Sequence, residues 1–506
     1  MNINLEDSIT IEEVREIALG KEHVYLDKEV DQAIVNSRAR VNQLIKNGKP
    51  VYGVNTGFGI FANKKIDLEQ ISILNRNLIL SHAVGIGDPL PDEIVRAAMF
   101  IRAVSLSKGF SGVRPEIVKT LLDMLNNQVT PIIPSKGSLG SSGDLCQLSH
   151  LALVLSKDVR DLDEESGKAK FKGQESSGKE AMAKAGIERS ILSAKEGLAL
   201  NNGATFTAAI AALSVSEAEY LLQIAETSAA LAMEALCARA DPFDHRIQLV
   251  RNQKGQIETA RNILKLIKGS SYINSVDQVQ DAYSIRCIPQ VHGAVRDSVG
   301  YVKKVVEREI NAVTDNPLIF ETGEAISGGN FHGEPLGLGM DFLAVALCEL
   351  GAISERRINL MLDAKFNHGL TQMLVDDSSS EGLNSGLMMP HYTAASLVLE
   401  NQTLATPDSI RSLPTSAGQE DHNANAMTAA RHAYEIINNL RQILSIEIYT
   451  AVRAIDLRKR QSQLSLGKGT GKIYAQIKNM IQYFSEDTLW GREIGYINEI
   501  IEQRKL

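Results

Sequence analysis

The chain has 506 residues, of which 53 are Lys or Arg and 61 Asp or Glu, for a formal net charge of −8. That balance, with no basic patch and an aromatic share of 5%, argues against nucleic-acid binding, which needs a basic face and stacking rings. Length alone suggests about three domains, and a chain of this size can bury a large core without disulfides or metals.

The four cysteines, Cys146, Cys237, Cys287 and Cys348, are far apart and have no metal-ligand spacing, which suits a reducing cytoplasm. The N-terminal MNINLEDSITIEEVREIALG is acidic and amphipathic, so no signal peptide is expected. No run of about 18 uncharged apolar residues predicts a membrane span.

Thr10 is placed to cap a first helix that carries Glu12 and Glu13 in its opening turn. A second helix is expected over 28–47, closing near Asn47-Gly48. Tyr52-Gly53-Val54-Asn55-Thr56-Gly57-Phe58-Gly59 then breaks the helical pattern, and its three glycines mark a loop. Helical patterns return over 67–82 and 92–128, followed by a Pro- and Gly-rich loop over 131–143. The polar insert 157–188 reads as solvated loop, with KAKFKG able to form a short exposed hairpin. From Ala204 to Ala238 there is neither Gly nor Pro. Such a run can form a helix of about 50 Å, the spine of a bundle. Long helical patterns follow at 290–313, 335–364, 386–405 and 422–452. The expected fold is therefore mainly α, a long-helix bundle. Residues 1–200 form a region carrying the catalytic loops, and 201–506 form the bundle and C-terminal helices.

Chemistry enters at Gly137-Ser138-Leu139-Gly140-Ser141-Ser142-Gly143-Asp144. Serine- and glycine-rich turns are common and mostly structural. In a tight Ser-Gly turn, however, the Gly143 amide nitrogen can attack the Ser141 carbonyl, because glycine has no Cβ in the way. Loss of one water on ring closure and one from the Ser142 side chain leaves an exocyclic alkene, an electrophile that no ordinary side chain supplies.

GSLGSSGDL resembles the prosthetic-group loop GSxGASGDL of the aromatic amino-acid ammonia-lyases. The resemblance extends, in order, through YGVNTGFG (52–59), NLILSHAVGIGDPL (77–90), GLALNNGAT (197–205), QDAYSIRCIPQVHGA (280–294), SGGNFHGEPL (327–336), GLNSGLMM (382–389) and SLPTSAGQEDH (412–422). It covers almost the whole chain and is nearest to the histidine-specific members. It implies the aspartase/ammonia-lyase superfamily fold and a homotetramer whose sites draw on three subunits. It also implies a 4-methylidene-imidazol-5-one formed from Ser141, Ser142 and Gly143, with no metal and no dissociable cofactor. Ser141 departs from the family's alanine, but only its carbonyl carbon enters the ring. Asp144 follows as in the family, where it assists ring formation.

By the same resemblance Tyr52 is the base that takes a β-proton, with Tyr283 and Arg286 as its partners. A phenol with an ordinary pKa of about 10 needs a lowered value for this work near neutral pH. His82, in Ser81-His82, contacts the substrate ring in the family, and Ser-His resembles the histidine-specific enzymes. The Glu420 carboxylate and His82 can answer the two nitrogens of an imidazole, and Met388 packs on the same ring. Arg286 offers a planar fork to the substrate carboxylate. Asn202 and Gln280 match positions near the prosthetic group and carboxylate, and Phe331 matches one packing beside the group. Taken singly, these residues read as ordinary packed aromatics, polar core or helix starts. A departure from the family follows Glu420 in Asn423-Ala424-Asn425-Ala426-Met427.

The implied reaction is conversion of L-histidine to trans-urocanate and ammonia, in cytoplasmic histidine degradation, with only a small molecule as partner and no nucleic acid or membrane. Other readings are elimination of trimethylamine from a histidine betaine, an aminomutase that re-adds ammonia at the β-carbon, and a silent helical paralogue. The polar set Tyr52, Ser142, Asn202, Arg286 and Glu420 argues against the last. The GSSxMPxKxN loop of the fumarase-like relatives is absent from the sequence.

Overall fold

The computed structural model describes residues 1–48, 50–61 and 63–506. Helix takes up 58% of the chain and the strands run two to four residues, so the mainly α expectation holds. The chain divides into two compact units. One comprises Met1–Ser216, Lys303–Asp341 and Pro407–Arg431, the other Glu217–Val302, Phe342–Thr406 and His432–Leu506. Each is assembled from three stretches because the division falls inside four long helices. The stretch 1–200 thus lies within the first unit.

The first unit opens with helices α1 (Ile11–Ala18) and α2 (Lys28–Lys46). Thr10 caps α1 as expected, in a reciprocal box with Glu13 that satisfies two otherwise orphaned N–H groups. The expected 67–82 helix is a 3-10 turn, Leu68–Gln70, leading into α3 (Ile71–His82). The expected 92–128 helix is two: α4 (Asp92–Ser107) and α5 (Pro115–Asn126). Gly109 and Gly112 take φ of +79° and +68° between them, and Pro115 opens α5 at a position where its missing N–H costs nothing. Gly112 has a second constraint, since a Cβ there would sit 2.3 Å from Val41. Helix α4 packs on α1 and α5 and is buried from Ala97 to Ser107, including Arg102 in its middle.

Next come α6 (Leu145–Leu155), α7 (Gly178–Lys184) and α8 (Glu196–Asn201), with α3, α6 and α8 in mutual contact. The 157–188 insert does contain the hairpin, Lys168–Phe171 with Gln174–Ser177, but it is not simply solvated loop. Its first strand also pairs with Val129–Pro131, and Ala169 is fully buried.

Helix α9 (Thr205–Ala235) is the expected spine. In the second unit α10 (His245–Arg251) packs on α11 (Lys254–Leu266), and the short α12 (Tyr283–Arg286) precedes α13 (Ile288–Glu309). The remainder is α14 (Glu334–Leu362), α15 (Met388–Leu404), α16 (Ala426–Gln461), α17 (Lys468–Lys478) and α18 (Trp490–Glu502). Glu447 of α16 accepts hydrogen bonds from Ser228 of α9 and from Ser354 and Arg357 of α14. This buried, multiply bonded carboxylate ties three long helices together. Helix α16 starts at 426 rather than 422 because Asn425 is held at φ +46°, with its N–H bonded to the Leu139 carbonyl.

The expectation of no membrane span concerned uncharged runs, and every 18-residue window of α9 and α14 carries at least one charged residue. Helices α9 and α14 are long and apolar enough to cross a membrane by length and composition, but 72% and 67% of those windows are buried inside the protein. Core helices of a bundle meet the same length and composition criteria.

Candidate active site

The prosthetic-group loop sits between α5 and α6 and is pinned from every side. Gly140 accepts from the Gly333 N–H at 3.0 Å, and Leu139 accepts from the Asn425 N–H at 2.8 Å. The Ser142 carbonyl accepts from Asn202 Nδ2 at 2.8 Å and from the Gly203 N–H at 3.1 Å. The Asp144 N–H returns a bond to the Gly203 carbonyl at 2.9 Å. Asp144 is fully buried and takes hydrogen bonds from Ser138 Oγ, Thr207 N and Thr207 Oγ1 at 2.8–3.0 Å. Burial pushes its carboxyl up, and the bonds from Thr207 and Ser138 oppose that.

Gly143 is the tightest point. Its φ is +77°, and a Cβ would lie 2.0 Å from the Gly203 carbonyl carbon. Only glycine fits against that backbone. These contacts suit a loop that must bring the residue-143 nitrogen to the residue-141 carbonyl, so the residues present fit the ring-forming triad. Gly143→Ala is expected to prevent ring closure, and its intact mass should then keep the two waters that ring formation would remove.

Behind the loop lies a feature the sequence reading passed over. Arg102 is fully buried and donates to the Asn202 carbonyl at 2.6 Å, while its Nε and Nη1 find no hydrogen-bond partner. Burial holds its guanidinium down at about 10, against the pull of Asp315 and Asp144. Asp315 is itself ion-paired with buried Lys195 and accepts from Ser111 Oγ at 2.8 Å. The available signal was the lone arginine inside the apolar run AAMFIRAVSL.

In front of the loop is a cavity of about 1370 Å³, contained in the first unit. Tyr52, His82, Ser141, Ser142, Asn202, Phe331 and Glu420 all line it. Tyr52 enters from the glycine loop and meets Phe58 edge-on with ring centres 6.4 Å apart. Burial pushes its hydroxyl above the ordinary value; the Gly59 backbone N–H lowers it and the Glu420 charge raises it again. His82 closes α3, and its Nδ1 shares a hydrogen bond with Ser81 Oγ at 2.9 Å. Burial lowers the imidazole pKa, against the Leu78 carbonyl and Glu420, so the ring is neutral near pH 7.

Glu420 is fixed from its backbone. Its carbonyl accepts from the Thr415 N–H at 2.8 Å, and its N–H donates to the Thr415 carbonyl at 3.3 Å. Ser416 and Ala417 turn the chain between them at φ of +50° and +53°. Its carboxylate Oε2 accepts from Ser141 Oγ at 2.8 Å. The departing segment after Glu420 braces this loop. Asn423 Oδ1 accepts from the Leu413 N–H, the Asn423 N–H donates to Ser412 Oγ, and Asn425 supports Leu139. His332 and His422, also in the wall, stack with ring centres 5.9 Å apart. They were hidden in plain view inside SGGNFHGEPL and SLPTSAGQEDH.

Four of the expected site residues are not among the cavity's lining: Gln280, Tyr283, Arg286 and Met388 belong to the second unit. There Arg286 lies over the Tyr283 ring at 4.5 Å and donates to Gln280 Oε1 at 2.6 Å. Tyr283 is 70% exposed, and neighbouring Val279 is 95% exposed.

Known proteins match this arrangement over nearly its whole length. Residues 9–479 fit the family model for aromatic amino acid lyases. A histidine ammonia-lyase of Caldanaerobacter subterraneus subsp. tengcongensis is 47% identical, covering 99% of this chain and 96% of that protein. Among solved structures, the Pantoea agglomerans phenylalanine aminomutase superposes with a TM-score of 0.93 at 32% identity, covering 99% of this chain and 98% of that one. Histidine ammonia-lyase from Trypanosoma cruzi superposes with a TM-score of 0.89 at 35% identity, covering 99% and 94%. The chain belongs to the aromatic amino acid lyase family.

Proposed function

We propose that the chain is a histidine ammonia-lyase, eliminating ammonia from L-histidine to give trans-urocanate. The observation that carries this reading is the single cavity in which a neutral His82 and the Glu420 carboxylate lie with the Ser141-Ser142-Gly143 loop. An imidazole needs a donor and an acceptor at its two nitrogens; Glu420 offers the acceptor, and the free ring nitrogen of His82 donates or accepts according to its tautomer. The high identity to a histidine ammonia-lyase across 99% of the chain supports the same substrate. The aminomutase likeness is one of fold, which does not specify the reaction.

Ser141, Ser142 and Gly143 form the 4-methylidene-imidazol-5-one, held through Asn202 and Gly203. When present, this group supplies an electrophile that turns the substrate's amino group into a better leaving group. Tyr52 takes the β-proton from the substrate, while His82 and Glu420 hold the ring. Phe331 closes the apolar side of the cavity. Asn202, whose Oδ1 is buried without a hydrogen-bond partner, keeps an acceptor near the reacting amino group.

Gln280, Tyr283, Arg286 and Met388 reach each cavity from other copies of the chain in a homotetramer. The exposed Val279 and Tyr283, and the exposed Met389, Tyr392 and Leu399 beside Met388, support this, because such apolar surface marks association sites. Arg286 then binds the substrate carboxylate. The enzyme works in the cytoplasm.

The test is a panel of L-histidine, L-phenylalanine and a trimethylated histidine betaine, with the products identified. L-histidine giving urocanate and ammonia in equal amounts supports the reading. β-Histidine as product, or turnover of the betaine alone, overturns it. Within the same panel, His82→Leu is expected to raise KM for L-histidine about tenfold, the scale of one lost hydrogen bond; an unchanged KM removes His82 from the ring site.

A further inference from the structure

The geometry points to the Ser141 hydroxyl as a positioning residue that aims Glu420 at an imidazole and sets how tightly the ring is held; this rests on the reading above. Ser141 and Glu420 are 279 residues apart in sequence, yet Oγ donates to Oε2 at 2.8 Å. Ser141 is 8% exposed, and the bond lies partly buried in the cavity wall that both residues line, which limits the hydroxyl's freedom to leave it.

Two constraints then act on Glu420. Its main chain is clamped to Thr415 in both directions, and Ser141 holds one carboxylate oxygen, which leaves Oε1 to accept a ring N–H at the cavity wall. An alanine at 141 removes the second constraint. Glu420 would then have to give up side-chain rotamer freedom, on binding, that Ser141 has already removed. Ring closure uses only the carbonyl carbon of residue 141, so the hydroxymethyl group stays outside the ring chemistry. The serine is therefore compatible with the prosthetic group while adding a donor that alanine lacks.

The experiment compares wild type, Ser141→Ala and Ser141→Thr by intact mass, by kcat and KM for L-histidine, and by calorimetric affinity for trans-urocanate without ammonia. All three proteins should show loss of two waters. Ser141→Ala should raise KM and weaken urocanate binding about five- to tenfold, with a smaller change in kcat. Ser141→Thr, which keeps a hydroxyl, should return both toward wild type. Equal KM and equal urocanate affinity in wild type and Ser141→Ala overturn the proposal, as does a threonine variant that behaves like the alanine one. Failure of Ser141→Ala to lose the two waters also overturns it, since the serine would then act on ring formation instead. Wild-type protein that leaves L-histidine untouched counts against the substrate reading itself and is told apart by that control.

Discussion

Ser142→Ala should fold as the wild type does, keep its full calculated mass, and lose activity by a factor on the order of 10³ or more; removal of covalent-catalysis groups elsewhere costs up to ~10⁶. The reasoning is local. In the proposed function Ser142 supplies the methylidene carbon, while the loop is held by contacts that do not use its side chain: Asn202 and Gly203 grip its carbonyl, and Gly333 and Asn425 grip the residues before it. Loss of the hydroxyl therefore removes the electrophile and leaves the cradle. Mass spectrometry and the urocanate assay read the two consequences separately. A Ser142→Ala protein that retains wild-type activity would mean that elimination proceeds without the electrophile.

The second large effect belongs to Tyr52. Tyr52→Phe should cost about 10²–10⁴ in kcat, the usual contribution of a positioned general base, and should leave the two-water loss intact. The pH profile carries more information. Within the chain, burial holds the Tyr52 hydroxyl above its ordinary value, with the Gly59 N–H pulling it down and Glu420 pushing it up. The base acts deprotonated, so a raised pKa moves its limb to the alkaline side. kcat/KM should accordingly rise with pH through the neutral-to-alkaline range. A cationic Arg286 from another copy would pull the limb back toward neutrality. Arg286→Gln should therefore shift the limb upward as well as raise KM, and Tyr52→Phe should abolish the limb. A limb unaffected by either change would assign the base to another group.

Most of the first-unit site was legible because its chemistry is carried by short runs of unusual residues. GSLGSSGDL, YGVNTGFG and SLPTSAGQEDH each deliver a wall of the same cavity. The hairpin in KAKFKG was legible from alternation, but its pairing with Val129–Pro131 was not, since a strand's partner depends on distant register. The 92–128 run read as one helix because good helix formers flank Gly109 and Gly112; the break comes from the left-handed φ that both glycines adopt. Arg102 stood in an apolar run, but its contact with Asn202 spans 100 residues. The Ser141–Glu420 bond was invisible for the same reason. Gln280, Tyr283, Arg286 and Met388 could be placed from motifs only by resemblance, and their separation into the second unit is a matter of chain topology that residue patterns do not encode.

The most direct measurement mixes the purified protein with L-histidine and follows the ultraviolet absorbance of urocanate, after its intact mass has been recorded. The account predicts a mass short by two waters and a steady rise in absorbance. A full-mass protein, or a protein short by two waters that produces no urocanate, would contradict it.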